Sequence, residues 1–212
     1  MVTVIDSGIV NIRNIARALE HVGATVCVSR DVSDVERAER IILPGVGAFA
    51  PGMKELRDRG LDQAIVSVAH LGMPVLGICL GMQMLFEKSY EKGCHSGLGI
   101  IPGTVIPIPR SGTSAEASRK VPHVGWSELE RAPDRGSWDG TILSATTPGE
   151  YVYFVHSFMG STEETTWPLA QCTYQGLPIL AAVEYENITA VQFHPERSGS
   201  VGLGILERFL KK

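Results

Sequence analysis

The chain has 212 residues, of which 44% are hydrophobic and 20% charged, and its net charge is −4. This composition predicts one compact domain, residues 1–212, and gives no reason to propose nucleic acid or an anionic membrane as a partner. No leader opens the sequence and no apolar run reaches the ~18 residues of a membrane span, so we expect a cytoplasmic protein. The four cysteines lack metal-binding spacing, so we expect no metal site.

The first half of the chain alternates short apolar runs with amphipathic segments. Strands are predicted at residues 2–5, 25–29, 40–43 and 74–78, and helices at residues 11–22 and 61–71. This alternation is typical of βαβ units, in which helices cover both faces of a mostly parallel sheet. Ligands of such sheets bind beyond the carboxyl ends of the strands, where residues 44–47 and Cys79 should lie.

The second half is richer in strands. They are predicted at residues 99–108, 124–129, 151–158, 170–174, 179–185 and 188–193, before a closing helix from about residue 202 to 210. Turn signals at Gln175-Gly176 and Glu186-Asn187 predict antiparallel hairpins, and the polar segment 110–120 predicts a surface loop. The predicted fold class is therefore α/β with three layers: a mostly parallel central sheet, helices on both faces, and an antiparallel extension in the second half.

Cys79 stands between two glycines, in Gly77-Ile78-Cys79-Leu80-Gly81, after a predicted strand and before the helix-like segment 82–87. This layout is typical of a nucleophile elbow, with Cys in place of Ser. The glycines suit a turn too tight for side chains and allow unusual dihedral angles, and the positive end of the next helix favours a thiolate. The alternative is a small core residue, which is our interpretation of the other three cysteines: Cys27, Cys94 and Cys172.

A thiol nucleophile needs a base, and the base needs an orienting group. His194 and Glu196 provide both near the end of a predicted strand, and Pro195 favours extended geometry at His194. Residues two apart in an extended chain share a face, so Glu196 can fix the tautomer of the ring. Taken singly, the histidine would be a satisfied core residue and the glutamate a surface carboxylate. The hypothesis depends on their joint occurrence with Cys79.

An acyl intermediate also needs backbone N–H donors for its developing oxyanion. Leu80, directly after the nucleophile, supplies one, and Val46 in the Pro/Gly-rich segment 44–49 is the second candidate. The alternative for that segment is an ordinary turn. His123 and His156 put polar rings in apolar strands, and their interpretation stays open between pocket wall, partner contact and structural role.

These motifs resemble those of the triad-type, class I glutamine amidotransferases. The resemblance is carried by GICLGMQ at 77–83 and QFHPE at 192–196. The closer similarity is to the glutaminase subunits of imidazole glycerol phosphate synthases. It is carried by PGVGAF at 44–49, KVPHVGW at 120–126, YFVHSF at 153–158 and AVQFHPERSG at 190–199. The resemblance runs from the first strand to the last helix and implies a class I glutamine amidotransferase-like fold.

The resemblance implies that Cys79 attacks the carboxamide of glutamine, that His194 moves the protons with Glu196 behind it, and that water releases glutamate from a thioester. It implies no metal and no organic cofactor. Substrate contacts are implied for four residues: Gly47, Gln83, His156 and Ser157. In this family the PGVG segment reorients a peptide when the partner holds its ligand, and we expect Gly45 and Gly47 to permit this change.

The implied partner is a (β/α)₈-barrel cyclase subunit, with which such glutaminases form a heterodimer. It uses the ammonia to form imidazole glycerol phosphate and an aminoimidazole carboxamide ribotide in histidine biosynthesis. Contacts with it are implied for five residues: Asn11, Asn14, Trp126, Tyr153 and Arg197. Arg197 departs from the family's usual Lys, which changes the geometry of the charge, and Ser127 replaces a usual Asn.

Two other functions compete with this one. The glutaminase subunit of pyridoxal phosphate synthase is similar in size and chemistry, although the PHVGW and VHSF motifs argue against it. A non-catalytic scaffold with the same fold is the second alternative, and the intact set of Cys79, His194 and Glu196 argues against it.

Overall fold

The structure is a computed structural model that describes residues 1–8, 12–110 and 118–212. The expected partner contact Asn11 and most of the predicted loop at 110–120 lie outside the described residues. The first half contains, in chain order, β1 (Val2–Ile5), α1 (Ile12–His21), β2 (Val26–Ser29), α2 (Val32–Glu36), β3 (Ile41–Gly45), α3 (Phe49–Asp58), α4 (Leu61–His70), β4 (Val75–Cys79) and α5 (Leu80–Leu85).

The second half consists mainly of strands. It contains β5 (Phe86–Ser89), β6 (His95–Ser96), β7 (Ile101–Pro107), β8 (His123–Glu128), β9 (Glu130–Arg131), β10 (Tyr151–His156), β11 (Phe158–Ser161), β12 (Pro168–Tyr174), β13 (Leu177–Tyr185), β14 (Ile188–Val191), a short 3-10 helix (Pro195–Arg197) and α6 (Gly199–Leu210). None of the helices in the described ranges combines the length and the apolar character needed to cross a bilayer.

A mixed eight-stranded sheet forms the centre, in the order β2-β1-β3-β4-β14-β13-β12-β9. The strands from β2 to β14 are parallel, and β13, β12 and β9 continue the sheet antiparallel. One buried cluster packs α1 and α6 against the sheet, and another packs α2 to α5. This confirms the predicted fold class, with its parallel centre, two helical layers and antiparallel extension.

Two smaller sheets flank the centre: a β8–β10 pair, and a four-stranded sheet in the order β11-β7-β5-β6. The elbow helix was expected to run to residue 87, but it ends at Leu85 and the chain continues as β5. The reason is non-local, because β5 pairs with β7. The predicted strand 151–158 is likewise wrong as one element. It divides at Ser157, where the chain changes partner from β8 to β7.

Sheet order alone brings three loops together. β4 lies between β3 and β14, with Gly45 opposite Cys79 and Ile78 opposite Val191. The carboxyl ends of β3, β4 and β14 are therefore neighbours. The segments that follow them, which carry residues 46–49, the elbow and residues 192–196, leave the sheet at one edge.

Close packing explains the two glycines of the elbow. A Cβ on Gly81 would lie 1.7 Å from the carbonyl oxygen of Leu43, and one on Gly77 would lie 2.5 Å from the Cδ1 atom of Leu85. Neither glycine has a positive φ. The expectation of a tight turn was correct, whereas the unusual dihedral angles occur at Cys79 itself, with φ 54° and ψ −109°.

We predict that Gly81→Ala lowers the free energy of unfolding by about 3 kcal/mol, because the new methyl group has to displace the β3 backbone. Urea denaturation measures this change. Gly204→Ala in α6 is the matched control, since no atom lies within 4 Å of its Cβ position. The control should keep or slightly increase stability, by at most about 1 kcal/mol. Equal stability of the two variants would contradict the packing argument.

Candidate active site

Cys79 is the last residue of β4 and lies directly before α5. Its side chain is buried, with 6% of the residue exposed. A non-glycine residue in such a backbone conformation costs about 1–3 kcal/mol and persists only where packing enforces it. Gly77 and Gly81 permit that packing. The thiol lies 3.9 Å from the carbonyl oxygen of Val155 and 3.7 Å from the side-chain amide nitrogen of Gln192.

His194 and Glu196 form a largely buried ion pair beside the sulfur. The Nδ1 atom of His194 lies 2.8 Å from Oε1 of Glu196. The pairing was expected from an extended chain, but β14 already ends at Val191 and Glu196 belongs to a 3-10 turn. The backbone also holds the imidazole, because the N–H of His194 donates to the carbonyl of Tyr153 at 2.9 Å.

Charge coupling connects the imidazole to the thiol. Burial lowers the pKa of His194, but hydrogen bonding and charge from Cys79 and Glu196 outweigh it and raise this pKa to about 10. The Nε2 atom is buried and makes no hydrogen bond of good geometry with the described residues. The His194 ring therefore binds a proton readily, because both the Cys79 sulfur and the Glu196 carboxylate stabilise its charged form.

A cavity of about 450 Å³ opens over Cys79. The residues predicted for the oxyanion and the substrate all line it: Val46, Gly47, Leu80, Gln83, His156 and Ser157. Two charged residues that sequence reasoning missed line it as well, Glu91 and Lys92. They follow β5 in a turn without a recognisable motif, so only the fold brings them to the site. The Glu91 carboxylate also accepts the N–H of Phe49 at 2.7 Å, at the start of α3.

The two glycines of the segment 44–47 have different roles. Gly45 ends β3, and a Cβ there would lie 2.8 Å from the Cβ of Leu80, so this glycine serves close packing. Gly47 has φ +96° and open space around it. Within the described residues the N–H groups of Val46 and Gly47 donate no hydrogen bond. Conformational freedom in this loop therefore belongs to Gly47 rather than to both glycines.

The comparisons with known proteins agree with this geometry. A family model for class-I glutamine amidotransferases matches residues 3–212. Subunit HisH 1 of imidazole glycerol phosphate synthase from Legionella pneumophila (strain Lens) is 42% identical over 210 residues, which cover 99% of this chain and 98% of the relative. The HisH subunit of Aquifex aeolicus is 42% identical over 213 residues, covering 99% and 95%.

The chain belongs to the class-I glutamine amidotransferases, among the HisH subunits. A crystal structure of a glutamine amidotransferase shares the fold, with a TM-score of 0.71 at 18% identity over 98% of each chain. The resemblance drawn from the motifs is thereby confirmed.

In this amidotransferase a polar chain runs from a surface strand to the sulfur. The hydroxyl of Ser127 lies 2.9 Å from Nε2 of His123, whose Nδ1 lies 3.0 Å from Nε2 of His156. Nδ1 of His156 lies 2.8 Å from the carbonyl oxygen of Phe158. Both rings thus have both nitrogens occupied. The open question about these histidines is answered in part: they form one internal network, and His156 also lines the cavity.

Gln83 belongs to the same network. Its amide nitrogen donates to the carbonyl of Phe158 and to the Oε1 atom of Gln192, at 3.0 Å in each case. The nitrogen therefore has no hydrogen left for a substrate. The amide oxygen of Gln83 has no partner among the described residues, and Gln83 lines the cavity. Gln192 itself was part of a motif in the sequence, but nothing there indicated its contact with Cys79.

Three of the expected partner contacts adjoin one another. Trp126 and Tyr153 pack edge to face, with ring centroids 5.9 Å apart, and the guanidinium of Arg197 lies 4.1 Å from the centroid of Tyr153. Asn14 is exposed on α1 and lines a second cavity together with Glu196. Asn11 lies outside the described residues.

The expectation of core positions for the remaining cysteines holds for Cys172 but not for Cys94. Cys172 is fully buried, and burial raises the pKa of its thiol to about 12, which makes it unreactive. Cys27 is half-buried and Cys94 is exposed, so the core interpretation was wrong for Cys94.

We predict an acid-dependent loss of stability from the buried histidine pair. Burial lowers the pKa of His123 and of His156 to about 4, whereas an unfolded chain binds these protons near ~6.5. The free energy of unfolding should therefore fall as the pH decreases from about 6.5 to about 4.

The variant His123→Phe keeps a ring stacked between Phe154 and Tyr174 but removes one titrating group. It should reduce the slope of unfolding free energy against pH by up to about 1 kcal/mol per pH unit in this window. His21→Phe, at an exposed position on α1, is the matched control for the replacement of a histidine by phenylalanine. Identical slopes for His123→Phe and the unmodified chain would contradict this account, whatever the absolute stabilities.

Proposed function

We propose that this chain is the glutaminase subunit of an imidazole glycerol phosphate synthase. It hydrolyses glutamine at Cys79 and delivers the ammonia to a cyclase subunit in histidine biosynthesis. The observation that carries the proposal is the coupling of the His194–Glu196 pair to Cys79, whose thiol lines the cavity, in a chain that matches HisH subunits over nearly its whole length. Residues 1–212 would then act as a single amidotransferase domain in the cytoplasm.

In the proposed reaction the Cys79 thiolate attacks the carboxamide carbon of glutamine, and a C–S bond forms while the carbonyl oxygen becomes an oxyanion. His194 gives its proton to the amide nitrogen, the C–N bond breaks and ammonia leaves. Water then loses a proton to His194 and attacks the thioester, so that glutamate and the thiolate are released. Glu196 stabilises the imidazolium in both steps.

The oxyanion needs donors that point into the cavity. We assign this role to the N–H groups of Leu80 and Val46. Two observations support the assignment: both residues line the cavity beside Cys79, and the Val46 N–H donates to no described residue. Rotation of the peptide next to Gly47, which has open space around it, is the proposed way to aim this donor.

Free glutamine carries a positive ammonium and a negative carboxylate, so its pocket needs a negative side chain for the first and a positive side chain for the second. Glu91 and Lys92 are the charged residues of the cavity wall in the part of the chain that the structure describes. We assign Glu91 to the substrate ammonium and Lys92 to its carboxylate. The amide oxygen of Gln83 is the proposed acceptor for a further substrate N–H, and Gly47, His156 and Ser157 complete the wall.

The β8–β10 pair is the proposed docking surface for the cyclase. Its outer face carries three exposed apolar side chains, Val124 (54% exposed), Trp126 (54%) and Tyr151 (51%). Tyr153 and Arg197 adjoin them, and Asn14 lies nearby on the Glu196 side. Aromatic residues and Arg are the usual anchors of protein interfaces. The pyridoxal phosphate alternative is disfavoured by the similarity to HisH subunits.

We predict that Cys79→Ala lowers glutamate release by about a thousandfold or more, because no other group supplies the nucleophile. The assay measures glutamate with and without the cyclase subunit and its nucleotide ligand. The fully buried Cys172→Ala is the matched control and should keep most of the activity of the folded fraction. Undiminished turnover by Cys79→Ala would overturn the mechanism, and an inert wild-type complex would favour the scaffold alternative.

We predict that Trp126→Ala weakens binding of the cyclase subunit by about 2 kcal/mol, since a large exposed aromatic ring at an interface centre is a typical hot spot. Isothermal titration calorimetry measures the change. Leu71→Ala is the control, because Leu71 is 83% exposed in the turn after α4 and is not part of the proposed surface. Equal affinities for the two variants would place the docking surface elsewhere.

A further inference from the structure

We propose that Gln192 is a positioning residue that holds the reactive sulfur of Cys79 and stabilises its thiolate. Its side-chain nitrogen lies 3.7 Å from Sγ, within the range of an N–H···S hydrogen bond, and the residue is fully buried. The inference deepens the proposed function. It concerns the state of the thiol before any substrate binds, so it is testable without glutamine.

The orientation of the Gln192 amide is dictated by its neighbours. The carbonyl oxygen of Phe158 can only accept, so Gln83 must turn its NH₂ group towards it. The second hydrogen of this NH₂ group then points at Gln192, which must present its oxygen. The Gln192 NH₂ group is consequently left facing Sγ, and a flipped amide would set two NH₂ groups against each other.

The same reasoning fixes the far end of the network. The carbonyl of Phe158 also accepts from His156 Nδ1, so the Nε2 atom of this ring is an acceptor. It accepts a hydrogen bond from the Nδ1–H of His123, and His123 Nε2 then accepts one from the hydroxyl of Ser127. Every proton in the chain is thus assigned from a fixed backbone carbonyl. Because both imidazole rings and the Gln83–Gln192 pair are hydrogen-bonded within this buried network, the donor aimed at Sγ is held in place.

An N–H donor aimed at sulfur favours the charged form of the thiol over the neutral form. The helix α5 that follows Cys79 has only six residues, so its dipole is short. The titratable groups around the sulfur are His194 with Glu196 behind it, His156 on β10, and Glu91 and Lys92 in the cavity wall. Gln192 approaches as a neutral donor, in addition to the imidazolium.

The test compares Gln192→Met and Gln192→Glu with the unmodified full-length protein. Methionine has a similar length but no donor, whereas glutamate is isosteric and places a carboxylate oxygen beside the sulfur. Gln171→Met is the matched control, because the Gln171 amide donates to Glu130 on β9, away from the cavity. The rate of iodoacetamide alkylation of Cys79 against pH, checked by thiolate absorbance at 240 nm, reports the thiolate fraction.

We expect Gln192→Met to reduce the alkylation rate at pH 7 about tenfold and to move the inflection of the profile upwards. Gln192→Glu should move it further, and Gln171→Met should not move it. Unshifted profiles in both Gln192 variants would overturn the inference. If the Met variant does not fold, as judged by circular dichroism, the isosteric Glu variant decides alone.

Glutaminase assays of the complexes separate the two proposals. An inactive wild-type complex whose thiol profile still shifts in the Gln192 variants would overturn the proposed function and support the inference. An active wild-type complex with unshifted variant profiles would overturn the inference alone.

Discussion

The adjacency of β3, β4 and β14 in a parallel sheet is the constraint on which the site depends. It brings together residues about 35 and about 115 positions apart along the chain. The elbow fits only because Gly81 lies against the Leu43 carbonyl and Gly45 against Leu80. The backbone strain at Cys79 is sustained by this packing, and its benefit is that a buried sulfur also lines the cavity.

The groups around the Cys79 sulfur differ from one another in chemical character. Hydrogen bonds and charge from Cys79 and Glu196 raise the pKa of His194 to about 10, which keeps a proton close to the thiol for the proposed reaction. Gln192 faces the sulfur with its NH₂ group, and because an amide does not ionise it supplies a hydrogen-bond donor without taking part in proton transfer. The histidines His123 and His156, whose pKa values burial lowers to about 4, remain neutral near pH 7 and do not compete as bases. Burial lowers the pKa of His123 and His156, whereas Cys79 and Glu196 raise the pKa of His194, so the three imidazoles of this region differ in protonation.

The sequence predicted the parallel half of the fold because its strands and helices are local and strongly patterned, as in β1 and α1. It did not predict β5, because Phe86 and Glu87 continue the predicted helical segment 82–87, and residues 86–89 become a strand only by pairing with β7. Cys79, His194 and Glu196 were recognisable because they sit in compact motifs. Glu91, Lys92 and the contact of Gln192 with Sγ were not, since these depend on distances across separate elements.

The small β8–β10 sheet links the proposed docking surface to the neighbours of the sulfur. On the strand backbone, the carbonyl of Tyr153 accepts a hydrogen bond from the N–H of His194, and the N–H of Tyr153 donates to the hydroxyl of Ser198. This hydroxyl in turn donates to the carbonyl of His194. On the inner face, the chain that begins at Ser127 and His123 leads to Gln192. This one small sheet is therefore hydrogen-bonded to the backbone of His194 on one side and, through its inner face, to the network that ends at Gln192 on the other.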